Sequence, residues 1–216
     1  SSIESARVSA IRFANPAVKT GGMWVWLGSG TVCAARRVRL AEDGRGEIDV
    51  ALTNMEPRTV PVEVGEVRAI SFDVSRLKPL AQAPMRVQHA AISQRRWVPP
   101  PVVGDWMSAA LGASDMELPG PMTVLFDVPG ASRVSGLVEL PEACRVWGDC
   151  EVYIEVMSAG ATKPLWHQRL NGAQPRFGFN LMLPGTSDAV LVMRVEPGEN
   201  GPVMDTVVVR RPLLLH

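Results

Sequence analysis

Trp147 stands two residues before Asp149 in the turn-like stretch Arg145-Val-Trp-Gly-Asp149, and Trp166 is followed directly by His167. An indole offers a flat apolar face, while a carboxylate or imidazole beside it offers hydrogen bonds at the rim. That pairing suits a pyranose ring, whose C–H face stacks on an aromatic while its hydroxyls meet polar side chains. Trp147, Asp149, Trp166 and His167 are therefore the candidate ligand-binding residues, because both tryptophans lie beside expected turns. Trp106 follows Gly104-Asp105, another turn-like pair. Trp24 and Trp26 share one face of a strand at period two and read as packing residues.

Catalytic patterns are lacking. His89, His167 and His216 have no spacing for a triad or a metal, no Gly-x-Ser-x-Gly elbow occurs, and Gly28-Ser-Gly30 is a simple turn with no helix after it. A glycosidase needs two carboxylates at fixed separation, and the acids here scatter over expected strand ends and turns. No catalytic residue is assigned. Glu199, Asn200 and Asp205 are weak candidates for oxygen ligands of a structural Ca²⁺; no other cofactor is expected. Cys144 and Cys150 flank a short turn where a disulfide is sterically possible, and Cys33 is left over. The alternative is three small buried hydrophobes.

Composition narrows the partners. The 216 residues are 46% hydrophobic, with 22 basic and 22 acidic side chains. Zero net charge removes the broad basic field that nucleic-acid binding needs. No apolar run approaches the ~20 residues of a membrane helix, so no membrane insertion is expected. Lys occurs only at Lys19, Lys78 and Lys163, and every other basic residue is Arg. Such a bias can serve bidentate recognition of anions, or it can reflect codon usage. The chain begins Ser-Ser-Ile-Glu-Ser, which reads as a fragment joined to neighbouring domains of a parent chain. The compartment is left open, with an extracytoplasmic one, periplasmic or secreted, favoured.

The elements that must carry these residues read as strands throughout, so the expected class is all-β. A small N-terminal β-meander or SH3-like barrel is expected over 16–80. Its signals are Met23–Leu27, Thr31–Ala35, Glu47–Leu52, Arg58–Val64 and Glu66–Phe72, separated by Gly-rich turns. Pro61 marks the fourth run as an edge strand. Val8-Ser-Ala-Ile-Arg-Phe13 echoes Val67-Arg-Ala-Ile-Ser-Phe72, so residues 1–15 read as the closing strand of an earlier repeat. Residues 81–104, with Pro84 and Pro99-Pro-Pro101, read as a connector. Seven alternating runs between Met122 and Arg210, with no amphipathic helix between them, predict a C-terminal β-sandwich over 105–216.

Within that half, Gly136-Leu-Val-Glu-Leu-Pro, Trp147 to Val156, Leu191 to Gly201 with the later Asp205, and the entry segment Asp115 to Met122 resemble one family. It is the family of novel carbohydrate-binding modules, galactose-binding-domain-like jelly rolls. The likeness covers about 115–213. Two positions depart from its pattern: Thr206-Val-Val follows the late Asp where an aromatic is usual, and Ser158-Ala-Gly160 replaces an Asp-Gly turn. The resemblance implies a non-catalytic carbohydrate-binding module in a larger multidomain protein. The alternative is a structural or protein-interaction β-repeat array without a small ligand, and the third reading is an unrecognised hydrolase.

Overall fold

The computed structural model describes residues 22–29, 31–50, 58–89, 98–105 and 109–216. Every helical element among them is a three-residue 3-10 turn, so the all-β expectation holds. Residues 1–15, with the expected closing strand, lie outside the described residues, as do Trp97 and Trp106.

β1 (Met23–Leu27), β2 (Val32–Leu40), β3 (Arg45–Val50), β4 (Arg58–Glu63) and β5 (Val67–Ser71) form one antiparallel sheet in the order β4-β3-β2-β1-β5. Val25, Ala35, Ile48 and Val62 make its small core. Pro61 lies on β4, which pairs with β3 alone. The missing N–H of proline is harmless on such an edge. A 3-10 turn, Val64–Glu66, carries the chain from β4 to β5 at opposite ends of the sheet. Those two strands share no ladder, so the sheet is an open meander and the closed-barrel alternative is corrected.

The other strands build a two-sheet sandwich. One sheet holds β7 (Met85–His89), β10 (Met122–Asp127), β12 (Cys150–Ser158), β13 (Ala161–Leu170) and β15 (Val190–Pro197), in the order β13-β12-β15-β10-β7. The opposing sheet holds β8 (Val102–Val103), β9 (Met116–Pro119), β11 (Arg133–Glu139), β14 (Arg176–Met182) and β16 (Thr206–Leu215), in the order β14-β11-β16-β9-β8. A short strand, β6 (Leu77–Pro79), also pairs with β16, and Leu80 after it is fully buried in the sandwich core. Met85–His89, inside the stretch read as a connector, is instead a ladder strand beside β10. Its Met85-Arg-Val-Gln-His sequence does alternate, with Arg86 and Gln88 outward.

Period-two alternation sets the faces. On β12, Cys150, Val152, Ile154 and Val156 point into the core and Glu151, Tyr153 and Glu155 point out. Facing residues from β9, β10, β11, β15 and β16, such as Phe126, Val138, Met193 and Val209, complete one continuous core. Burial of each such side chain contributes about 1.5–3 kcal/mol. Where the Asp-Gly turn was missing from the sequence, Ala159 and Gly160 still make a hairpin turn with φ of 50° and 77°. The Asp188 carboxylate accepts the Ala159 N–H at 2.6 Å and the Ser158 hydroxyl at 3.1 Å. These bonds hold its carboxyl down at about 2.

Candidate functional site

Three loops meet at one end of the sandwich: residues 140–149 between β11 and β12, 171–175 between β13 and β14, and 198–205 between β15 and β16. Backbone bonds join the first to the third and tighten the turn before β12. The Gly198 N–H donates to the Asp149 carbonyl at 2.6 Å, and the Gly148 N–H donates to the Cys144 carbonyl at 2.7 Å. A Cβ on Gly148 would lie 2.6 Å from the Cys144 oxygen and 2.7 Å from the Met204 oxygen. One on Gly198 would lie 2.5 Å from the Asp149 carboxyl carbon. Neither position has room for a side chain, which is why the chain carries glycine there.

The charge at the centre of these loops is ordered. Asp149 is only 4% exposed, and its carboxylate takes a two-pronged Arg169 guanidinium, with both bonds 2.7 Å long, plus the Glu199 N–H at 2.8 Å. Arg169 uses its third nitrogen on Glu199, at 2.9 Å. The guanidinium bond first, then the backbone N–H, hold the Asp149 carboxyl below the usual range against the opposing effect of burial, and the two carboxylates raise Arg169. Trp147, two residues before Asp149, is 61% exposed. Its carbonyl accepts the Asn200 side-chain N–H at 3.2 Å.

The outer face of the adjoining sheet continues the polar surface. β12 pairs Tyr153 with His167 on β13 and with Arg194 on β15. The tyrosine and imidazole rings stack at 4.2 Å and 11°, and the Arg194 guanidinium lies 4.2 Å from the tyrosine centroid. His167 Nε2 approaches Glu151 at 3.2 Å, and the Tyr153 hydroxyl donates to the same carboxylate. Those contacts, the tyrosine hydroxyl's foremost, hold Glu151 low, and acceptance by Glu151 raises Tyr153.

The four expected ligand residues therefore fall in different places. Trp147 is at the exposed loop end. Asp149 lies beneath it as a buried anchor rather than a rim group. His167 stands on the open sheet face, and Trp166, its neighbour in sequence, points the other way, with its ring edge-on to Phe177 at 6.5 Å and tilted on Phe179 at 6.1 Å. Arg169 joins the two regions, because it clamps Asp149 and pairs across strands with Glu151. Sequence reasoning missed Arg169, Glu151, Tyr153 and Arg194. Their alternation along β12, β13 and β15 was the available signal.

Of the residues considered for Ca²⁺, Glu199 points to solvent with its Arg169 partner, Asn200 holds the Trp147 carbonyl, and Asp205 is buried. Among the described residues, no group of three or more His, Cys, Asp or Glu side chains could hold a metal ion. The three cysteines are free thiols. Burial pushes the Cys150 thiol up to about 12, so the reactive thiolate is scarce at pH 8. Native protein treated with iodoacetamide at pH 8 is expected to keep Cys150 unmodified until denaturant is added. Rapid native labelling, read by peptide mass spectrometry, contradicts this placement.

No family model matches the chain, and no curated protein matches it. Solved structures similar to it include carbohydrate-binding modules and the K2 cleaved adhesin domain of Lys-gingipain. The CBM51-2 and INT domains of Clostridium perfringens ZmpB match at 8% identity and a TM-score of 0.49, over 84% of this chain and 40% of theirs. The tandem CBM51 modules of Sp3GH98, a family 98 glycoside hydrolase from Streptococcus pneumoniae, match at 9% and 0.47, over 90% of this chain and 77% of theirs. A family 6 carbohydrate-binding module matches at 10% and 0.35, over 64% and 91%. No helix among the described residues is long and apolar enough to cross a membrane.

Proposed function

We propose that the sandwich is a non-catalytic carbohydrate-binding module, working outside the cytoplasm as part of a longer protein, with its ligand surface centred on Trp147. One observation carries the reading: an indole 61% exposed on loops whose backbone is fixed by tight glycine contacts and by the buried Asp149–Arg169 clamp. A rigid aromatic loses little entropy when a ring stacks on it. Glu199 and Asn200, flanking it on the neighbouring loop, supply acceptor and donor groups for hydroxyls.

The carboxylates nearby support a binding role over hydrolysis. General acid catalysis needs a carboxyl with a raised pKa, whereas Asp149 and Glu151 are both held low by donors. A protein-interaction array with every tryptophan buried fits the exposed Trp147 less well.

Titration calorimetry against oligosaccharides drawn from a glycan array tests the reading. Affinity in the mM to μM range is expected, about −4 to −8 kcal/mol, because a shallow surface buries little of its ligand. Trp147→Ala is expected to weaken binding about tenfold or more, equivalent to about 1.4 kcal/mol, with the fold intact. Trp166→Ala is expected to reduce stability instead, since that ring packs against Phe177 and Phe179. Unchanged affinity in Trp147→Ala removes this surface from consideration.

A further inference from the structure

The opposite sheet of the sandwich carries a second concentration of charge that the Trp147 surface does not use. Glu139, at the end of β11, has a side chain only 8% exposed, yet it receives three guanidiniums: Arg145 at 3.1 Å, Arg176 at 3.2 Å and Arg210 at 3.0 Å. Arg210 also bonds Asp115 at 2.7 Å, and the Arg211 backbone N–H donates to that same carboxylate at 3.0 Å. Four arginines thus surround two carboxylates, an excess of two positive charges.

The backbone is shaped around this cluster. Between Ser135↔Leu213 and Leu137↔Arg210 the β11–β16 register slips, so two residues of β16, Arg211 and Pro212, lie opposite Gly136. Arg211 takes a φ of 42°, an uncommon conformation for a residue with a side chain. A Cβ on Gly136 would lie 2.7 Å from the Phe179 ring, so the bulge closes only over glycine. Bulges re-aim side chains. Above this one lies a groove of about 450 Å³, lined by Asp115, Gly136, Glu139, Arg176, Arg210 and Arg211. The buried Glu139 has both oxygens bonded by guanidiniums, and each Asp115 oxygen accepts one hydrogen bond. Arg176 bonds through a single nitrogen and is 59% exposed, and the Arg211 guanidinium has no partner among the described residues. A guanidinium carries five N–H donors in a fixed fork, so most of the donors of these two arginines remain available to a ligand.

We propose that this groove binds the carboxylate or sulfate of an acidic polysaccharide, so that the module selects charged glycans over neutral ones. This deepens the carbohydrate-binding reading and rests on it. Planar, bidentate recognition of an oxyanion is what paired, preoriented guanidiniums do best. Glu139 acts as a positioning residue for the Arg176 fork, and Asp115 fixes the Arg211 backbone from which the second guanidinium projects. Arg145 belongs to the same loop as Trp147, two residues away, and shares Glu139 with Arg176. The loop that carries the exposed indole is therefore tied to the groove through Glu139.

Calorimetry with the protein and three oligosaccharide probes tests the proposal: oligogalacturonate for carboxylate, a sulfated galactan fragment for sulfate, and a neutral galactan of equal length. At least one acidic probe is expected to bind ten or more times tighter than the neutral one, with affinity falling as salt rises. Arg211→Gln breaks no side-chain bond among the described residues, so it should fold normally and lose most of that preference. Arg176→Gln, with an unfolding curve as its control, should do the same. Acidic probes no tighter than neutral, or a preference that survives Arg211→Gln, overturn the proposal. Neutral binding lost only in Trp147→Ala would then leave the underlying reading intact. Acidic binding that depends on Arg211 and ignores Trp147→Ala would keep the groove and move the ligand surface away from Trp147.

Discussion

Glu139→Ala is expected to cost about 2–3 kcal/mol of stability, because charge-assisted hydrogen bonds are lost while the guanidiniums left behind, 34–59% exposed, regain water. The variant leaves Arg145, Arg176 and Arg210 facing one another with no central carboxylate. For a sandwich of this size, a loss of that order lowers Tm by roughly 5–10 °C. Glu139→Gln should cost less, since the amide oxygen still accepts hydrogen bonds, although the charge is lost. Urea unfolding of the two variants beside the parent chain measures both. A loss below about 1 kcal/mol in Glu139→Ala would mean that the guanidiniums reach solvent as easily without the acid as with it.

Acid gives an independent view of the same cluster. Burial alone would raise the Glu139 carboxyl, but bonds from Arg210 and Arg176 outweigh it and hold the group below its ordinary value. The folded state therefore binds this proton less readily than the unfolded chain does. The resulting stabilisation is complete above the unfolded pKa of about 4.3 and fades as pH falls through the lower folded value.

Most of the sandwich was legible because its strands alternate and Pro-Gly or Asn-Gly pairs separate them. The runs starting at Met122, Arg133, Cys150, Arg176 and Ala189 reappear as strands within a residue or so. β7 was read as connector because prolines dominate its surroundings, yet Met85 and Val87 needed only an open edge beside β10 to form a ladder. Glu139 looked like the solvated position of an alternating strand. Nothing local announces that Arg145, Arg176 and Arg210 converge on it, because strand neighbours in the fold select its partners. Trp147 was legible as a ligand candidate because it falls in the turn-like stretch Arg145–Asp149 between two expected strands.

Asp149 makes the sharpest test of whether the loop end works as one unit. Asp149→Ala removes the acceptor of two Arg169 bonds and of the Glu199 N–H together. A stability loss of about 2 kcal/mol is expected, because Arg169 is 39% exposed and keeps its Glu199 partner. Because Glu199 and Asn200 begin the loop that holds the Trp147 carbonyl, the indole should also lose its fixed orientation. Oligosaccharide binding is therefore expected to fall at least as far as in Trp147→Ala, measured at a temperature where the variant remains folded. Asp149→Asn keeps the shape and part of the hydrogen bonding, so it should sit between the two in both stability and affinity. Arg169 holds the Asp149 carboxyl low, so its contribution persists above the unfolded value of about 3.9 and is lost as pH falls through the folded one. The parent should then lose sugar affinity in the same acid range where this clamp protonates, and Asp149→Asn should show no such step. If both lose affinity at the same pH, the clamp does not hold the binding surface, and Trp147 is oriented by the glycine contacts alone.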